Sequence, residues 1–159
     1  MIIIVMGVSG CGKTTISSQL SQKTGIPYYD ADDFHPKSNI DKMARGSALN
    51  DDDRLPWLKL LADTILEWSS KKGGVLACSA LKEKYRAILS SKYKDIIWVY
   101  LSGSKDLIKQ RIEARSGHYM NSDLLNSQFH DLEVPNYGIH IDISETPEKI
   151  INTIVSKLK

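Results

Sequence analysis

The stretch Gly7-Val8-Ser9-Gly10-Cys11-Gly12-Lys13-Thr14 meets the spacing G-x-x-x-x-G-K-[ST] at every fixed position. No other feature constrains the chain as strongly, because this pattern works only where a strand enters the loop and a helix leaves it. Both are predicted. Ile2–Met6 is a short apolar, β-branched run that reads as a buried parallel strand. A helix is expected from Lys13 to Lys23, with Gly25 just past its end. Glycines let the backbone curl so that successive N–H groups point at a phosphate, and the helix adds its positive end. Gly7, Val8, Ser9, Gly10, Cys11, Gly12, Lys13, Thr14 and Thr15 therefore form the expected nucleotide cradle. Lys13 would place an ammonium near the β- and γ-phosphates, and the Thr14 hydroxyl would ligate Mg²⁺.

Beyond the loop, strand and helix patterns alternate, which predicts an α/β fold with a parallel sheet covered on both faces. Ile26–Tyr29 reads as the second strand, Val75–Cys78 as the third, Ile96–Leu101 as the fourth and Ile139–Ile143 as the fifth. Helices are expected from Asn39 to Arg45, closed by Gly46, from Lys105 to Ala114, from Ser122 through Phe129, and from Thr146-Pro147 to Lys157. Pro56 suits a first helical position, and Trp57, Leu61, Ile65 and Trp68 then fall on one face as a core stripe. No repeat or long linker divides the 159 residues, so one domain over 1–159 is expected.

Three features narrow the chemistry. Asp30-Ala31-Asp32-Asp33 follows the second strand, and ligands of open parallel sheets bind beyond the carboxyl ends of strands. Asp30 and Asp32 point the same way on an extended segment. One can serve a metal and the other a substrate hydroxyl, as a hydroxyl kinase requires. Asp33 reads as a helix-capping acid. Arg111 and Arg115 lie four apart on one helix face, ahead of Gly117-His118, the arrangement small phosphotransferases use on a lid that neutralises phosphoryl charge and excludes water. Finally, the third strand ends in Cys78-Ser79 with no aspartate to anchor Mg²⁺, and no Asn/Thr-Lys-x-Asp guanine-reading tetrapeptide occurs. A small-molecule kinase fits better than a GTPase switch. Arg54, Lys82, Arg86 and His35 are candidate grips for an anionic substrate, since arginine binds carboxylate through paired hydrogen bonds. Cys11, at a helix N-terminus, is a candidate reactive thiol.

Composition removes other classes. A net charge of +2 is too small for a nucleic-acid or membrane surface. No apolar run approaches the roughly 18 residues needed to span a bilayer, and the start carries no basic region of a signal peptide. Two cysteines make no disulfide framework, so a reducing cytoplasm is the expected compartment.

The chain resembles the gluconokinases, small kinases related to shikimate kinase. The matching stretches are Met6 to Gly10 and Lys13; Asp30-x-Asp32 with Phe34-His35-Pro36; Asn39-Ile40-x-Lys42-Met43; and Gly46 through Leu49-Asn50-Asp51-Asp52-Asp53-Arg54 to Pro56-Trp57-Leu58. They continue with Cys78-Ser79-Ala80-Leu81-Lys82 and Tyr85-Arg86, then Arg115-x-Gly117-His118, then Ser127-Gln128-Phe129 with Leu132-Glu133 and Pro135. The resemblance implies a P-loop NTPase fold like that of the nucleoside monophosphate kinases. Its parts are a five-stranded parallel sheet, helices on both faces and a small helical lid at about 111–135. It implies transfer of the ATP γ-phosphoryl group to the terminal hydroxyl of D-gluconate, with Mg²⁺, and a homodimer as in several members. By analogy with shikimate kinases it makes Lys13, Asp32 and Arg115 catalytic, and gives Asp30 a hold on Mg²⁺ through water. Arg111 falls beside the adenine, and Asp32, His35, Arg54, Lys82, Arg86 and His118 fall on the substrate. Asp33 stands where the family pattern suggests an apolar residue, and Cys11 where a smaller one is common. The competing readings are a kinase of another small hydroxy acid such as shikimate, and a non-catalytic nucleotide-binding regulator.

Overall fold

The computed structural model describes residues 1–114 and 122–158, and of residues 122 and 123 the backbone only. Five parallel strands, β1 (Ile2–Met6), β2 (Tyr28–Asp30), β3 (Gly74–Ala77), β4 (Ile96–Ser102) and β5 (Ile139–Asp142), form one sheet in the order β2-β3-β1-β4-β5. The expected α/β architecture is the observed one.

β1 is central, pairing β3 on one side from Ile2↔Gly74 and β4 on the other from Ile2↔Ile96. Both its faces are covered, which is why it is apolar throughout rather than alternating. Ile3 and Val5 enter a core with Ile16, Leu20, Ile108, Ile112 and Ile154. Ile2, Ile4 and Met6 enter a second core with Trp57, Leu61, Ile65, Trp68 and Leu89. Each of the five β1 side chains is fully buried, contributing about 1.5–3 kcal/mol of apolar transfer.

The first core is closed by α1 (Lys13–Thr24), α5 (Lys105–Ala114), α6 (Ser122–Asp131) and α7 (Pro147–Lys157), the second by α3 (Asp51–Ser69) and α4 (Glu83–Leu89). The stripe Trp57, Leu61, Ile65 and Trp68 is core, as its spacing implies. α2 (Lys37–Ala44) begins two residues before the expected start, with Pro36 as its N-cap.

Pro56 corrects the expected start of α3. The helix begins at Asp51, and Pro56 lies inside it. Asn50 and Asp53 form a capping box: the Asn50 side chain accepts from the Asp53 N–H at 2.8 Å, and the Asp53 carboxylate accepts from the Asn50 N–H at 2.9 Å. Asp51, Asp52 and Asp53 also place negative charge on the positive end of the helix. The cap and that charge start the helix five residues upstream and outweigh the backbone bond that the proline cannot donate.

Because every strand is parallel, Met6, Asp30, Ala77, Ser102 and Asp142 end on one edge of the sheet. The segments that follow them converge there.

Candidate active site

The phosphate loop spans the turn from β1 to α1. Two of its glycines are required by packing. A Cβ on Gly10, at φ +82°, would lie 2.6 Å from Ile112 Cγ1 of α5. A Cβ on Gly7 would lie 2.7 Å from Cys11 Sγ and 3.0 Å from the Leu101 carbonyl. The loop is thus pressed against β4 and α5. It is also tied to the β3 edge, where the Gly7 N–H donates to the Ser79 carbonyl at 3.3 Å. The Lys13 ammonium donates to the carbonyls of Gly7 and Val8, both at 3.0 Å, so its charge is held over the loop.

Cys11 does not fit the reactive-thiol expectation. It is 1% exposed, and burial pushes its thiol pKa up despite the nearby Lys13. A thiol nucleophile needs the opposite environment. Cys78 is likewise buried and raised to about 12.

Asp30 ends β2 and caps a 3-10 turn over Ala31–Phe34, its Oδ1 accepting from the Asp32 N–H at 2.9 Å. Tyr28 lies beside both Asp30 and the Thr14 hydroxyl; burial first, then the Asp30 carboxylate, raises its pKa. Burial, then Asp30, raises the Asp32 pKa above the ordinary carboxylate value, while His35 and Lys13 pull the other way. Asp32 keeps 83% of its side-chain surface open to water, which limits that rise. A hydroxyl and two carboxylates are hard oxygen donors of the kind Mg²⁺ selects. Among the described residues no group of three or more His, Cys, Asp or Glu side chains gathers as a closed metal cage. A Mg²⁺ ion held here would draw its remaining oxygens from water and phosphate, as is usual for that ion.

His35 follows the 3-10 turn. Its ring stacks on Trp57 with centroids 4.1 Å apart, and its Nε2 stands 3.9 Å from Asp32 Oδ1. Burial lowers its pKa, and Arg54 adds to that.

A pocket beside the β3 edge is lined by Arg54, Trp57, Ser79, Leu81, Tyr85 and Asp131, among others. Arg54 donates to the Tyr85 hydroxyl at 3.1 Å, and its guanidinium lies 5.4 Å from the Tyr85 ring centre. That hydroxyl donates to Asp51 Oδ1 at 2.5 Å. Burial, then the Asp51 hydrogen bond, raises the Tyr85 pKa to about 12. Lys82 is half-buried, 5.7 Å from the same ring and 4.0 Å from Asp131. Arg54 and Lys82 are thus brought to one place.

Arg86 is not. It is 2% exposed, and its guanidinium is consumed internally. Nη1 donates to the Ala80 carbonyl at 2.7 Å, Nη2 to the Glu133 carbonyl at 2.7 Å, and Nε to the Tyr137 hydroxyl at 2.9 Å; Glu83 pairs with Nη2 at 3.0 Å. The expected substrate grip is a cross-brace between the loop after β3 and the segment after α6.

Arg111 lies at the far side of the phosphate loop, where its Nη2 donates to the Ile143 carbonyl just after β5. Thr15 is exposed on the first turn of α1. Arg115, Gly117 and His118 lie outside the described residues. Sequence reasoning missed three side chains. Tyr85 and Asp131 complete the cationic pocket. Gln128 of α6 clasps the phosphate loop, its Oε1 accepting from the Ser9 N–H at 2.7 Å and its Nε2 donating to Ser9 Oγ at 3.0 Å. Gln128 stood in a quoted motif, but only the folded chain reveals its partner 119 residues away.

A phosphate loop of this build, on a sheet of this strand order and without a Mg²⁺-anchoring aspartate after β3, defines a P-loop kinase of small molecules. The sequence profile of shikimate kinase matches residues 9–159. A probable gluconokinase of Xenopus tropicalis is 42% identical over 178 residues, covering 100% of this chain and 92% of that protein. The thermoresistant gluconokinase of Escherichia coli strain K12 is 36% identical, covering 99% of this chain and 93% of that one. A crystal structure of a gluconokinase from Sinorhizobium meliloti 1021 superposes with a TM-score of 0.89 at 34% identity, covering 98% of this chain and 89% of that chain. The chain belongs to the gluconokinase family, within the kinases related to shikimate kinase.

Proposed function

We propose that the protein transfers the γ-phosphoryl group of ATP to the terminal hydroxyl of D-gluconate, giving 6-phospho-D-gluconate and ADP. The observation that carries this reading is the convergence on one sheet edge of the phosphate loop, the Asp30–Asp32 pair and a pocket lined by Arg54 and Tyr85, with Lys82 beside the same Tyr85 ring. The full-length similarity to named gluconokinases points to the acceptor.

The loop N–H groups and Lys13 hold the β- and γ-phosphates and neutralise their charge. Thr14 and Asp30 are the residues that would hold Mg²⁺, Asp30 through water, and the ion would supply charge neutralisation at the phosphates. Arg54 and Lys82 take the carboxylate of gluconate, with Tyr85 holding Arg54 in place. Asp32 orients the acceptor hydroxyl and takes its proton as the oxygen attacks the γ-phosphorus. The bond from that phosphorus to the β,γ-bridging oxygen breaks, and ADP leaves. The raised Asp32 pKa makes it a better base than an ordinary carboxylate. Arg111 stands at the adenine end, and Arg115 and His118 complete the phosphoryl and substrate contacts. The cytoplasm suits a chain with two unpaired thiols and a need for ATP.

The test is ADP release with Mg-ATP and a panel of gluconate, shikimate and glucose. Turnover with gluconate alone is the expected result. Turnover with shikimate instead would overturn the acceptor assignment, and no turnover with any, ATP still binding, would favour a regulator.

A further inference from the structure

Asn39, on α2, is 3% exposed and has no part in the chemistry above. Its amide Nδ2 stands 2.9 Å from the Asp53 carbonyl oxygen and 3.2 Å from His35 Nδ1. A backbone carbonyl can only accept, so the atom facing it must be the amide nitrogen. The same nitrogen faces His35 Nδ1, so Nδ1 accepts as well. A neutral imidazole carries one proton, and with Nδ1 accepting, that proton sits on Nε2. A half-turn of the ring would keep its plane but carry Nδ1 away from the Asn39 amide. The ring is stacked on Trp57 with an interplanar angle of 15°, and its side chain is only 4% exposed.

Nε2 is the ring atom that faces Asp32, at 3.9 Å. The charged groups around His35 are Asp32, from its own turn, and Arg54, from α3; burial and Arg54 oppose its protonation, and Asp32 favours it. α2 is itself tied to the start of α3. Lys42 Nζ pairs with the Asp53 carboxylate at 2.6 Å, and that carboxylate closes the capping box of α3. The cap therefore fixes the Asp53 carbonyl that in turn fixes the Asn39 amide.

We propose that Asn39 is a positioning residue that locks neutral His35 in the Nε2–H tautomer, so that a neutral hydrogen-bond donor faces Asp32 where the acceptor hydroxyl reacts. At 3.9 Å no hydrogen bond is formed, and a donor without net charge would orient the carboxylate once that gap closes on substrate binding. A protonated ring would instead stabilise the carboxylate and weaken it as a base. The opposite tautomer would set the Nε2 lone pair against a carboxylate oxygen. The proposal rests on Asp32 being the base.

The decisive readout is ¹⁵N NMR of the histidine rings of the full-length protein above pH 6.5, with His35 assigned by the signal lost in His35→Gln. The expected result is a lone-pair nitrogen at Nδ1 and a proton on Nε2. Asn39→Asp keeps the shape but presents only acceptors. It is expected to move the ring proton to Nδ1 or hold one on each nitrogen. Its kcat should fall by roughly 10- to 100-fold with KM for ATP unchanged. A wild-type ring protonated on Nδ1 would overturn the proposal, and so would an Asn39→Asp protein with an altered tautomer and unchanged kcat. If Asn39→Asp fails to fold, the wild-type tautomer still decides the first step, and Asn39→Ser tests the second. Asp32→Asn separates the underlying reading: retained turnover there removes the base, and with it any catalytic purpose for the lock. Lost turnover there, with a wild-type ring protonated on Nδ1, leaves the base in place and rejects the lock alone.

Discussion

The two ends of the candidate active site offer an anion different means of recognition. At the phosphate end the main chain does the work. The loop is held in shape by glycines that pack against Cys11 and Ile112, and by the Gln128 clasp on Ser9. At the acceptor end the candidate groups are side chains, and each is claimed by a protein partner: Arg54 by Tyr85, Lys82 by Asp131, Arg86 by five neighbours. Backbone recognition is set by φ angles and steric room, so its residues are dictated position by position. Side-chain recognition depends on which cations remain available once the fold has taken its share. Arg86 is wholly taken and Arg54 only in part, although both are arginines near one strand edge.

That contrast can be broken at several points. Asp32→Asn, at the junction of the two ends, should lower kcat by roughly 100- to 10,000-fold while ATP binding, followed by calorimetry, stays intact. Retained turnover would remove Asp32 as base. Arg86→Ala should destabilise the protein by about 2–6 kcal/mol in urea unfolding, because it leaves the Ala80 and Glu133 carbonyls without their donor, at roughly 1–3 kcal/mol each. A normal stability with a raised KM for gluconate would return Arg86 to the substrate. Arg54→Ala should behave in the opposite way, raising KM for gluconate about 10- to 100-fold with little change in unfolding free energy. Asp131→Asn should move KM for gluconate by only a few fold and leave KM for ATP alone, since it acts on Lys82 from the pocket wall.

The smallest expected effect is on pH dependence. Hydrogen bonds from Lys84 and then Tyr85 hold the Asp51 pKa at about 2, against 3.8 unfolded. The stability this carboxylate contributes is fully present above pH 3.8 and falls away as the pH drops through about 2. Asp51→Asn should flatten acid unfolding in that window. Asp51 is exposed, so solvent limits the effect.

How much of this the sequence revealed follows the same division. The phosphate loop, its strand and its helix were readable because a backbone site needs particular residues at fixed spacing. The strand order, with β3 lying between β2 and β1, was not readable, because pairing between strands leaves no mark in either strand's own pattern. Asp30 and Asp32 were readable from their place after a strand. Arg86 was misread because its spacing carries no record of Glu133 and Tyr137, which lie 47 and 51 residues away. Cys11 was misread because the helix terminus was weighed without the burial that outweighs it. Pro56 was taken for a helix start although the true signal, Asn50 with Asp53 three residues later, stood in plain view. Tyr85 and Asp131 enter the pocket only through tertiary packing.

The central claim is that the phosphoryl group moves to the terminal hydroxyl of gluconate rather than to water. ³¹P NMR of the products from Mg-ATP and gluconate tests it directly. A new phosphomonoester resonance, split by the two protons of a terminal methylene and rising in step with ADP, is the predicted result. Inorganic phosphate rising with ADP, and no phosphomonoester, would contradict it.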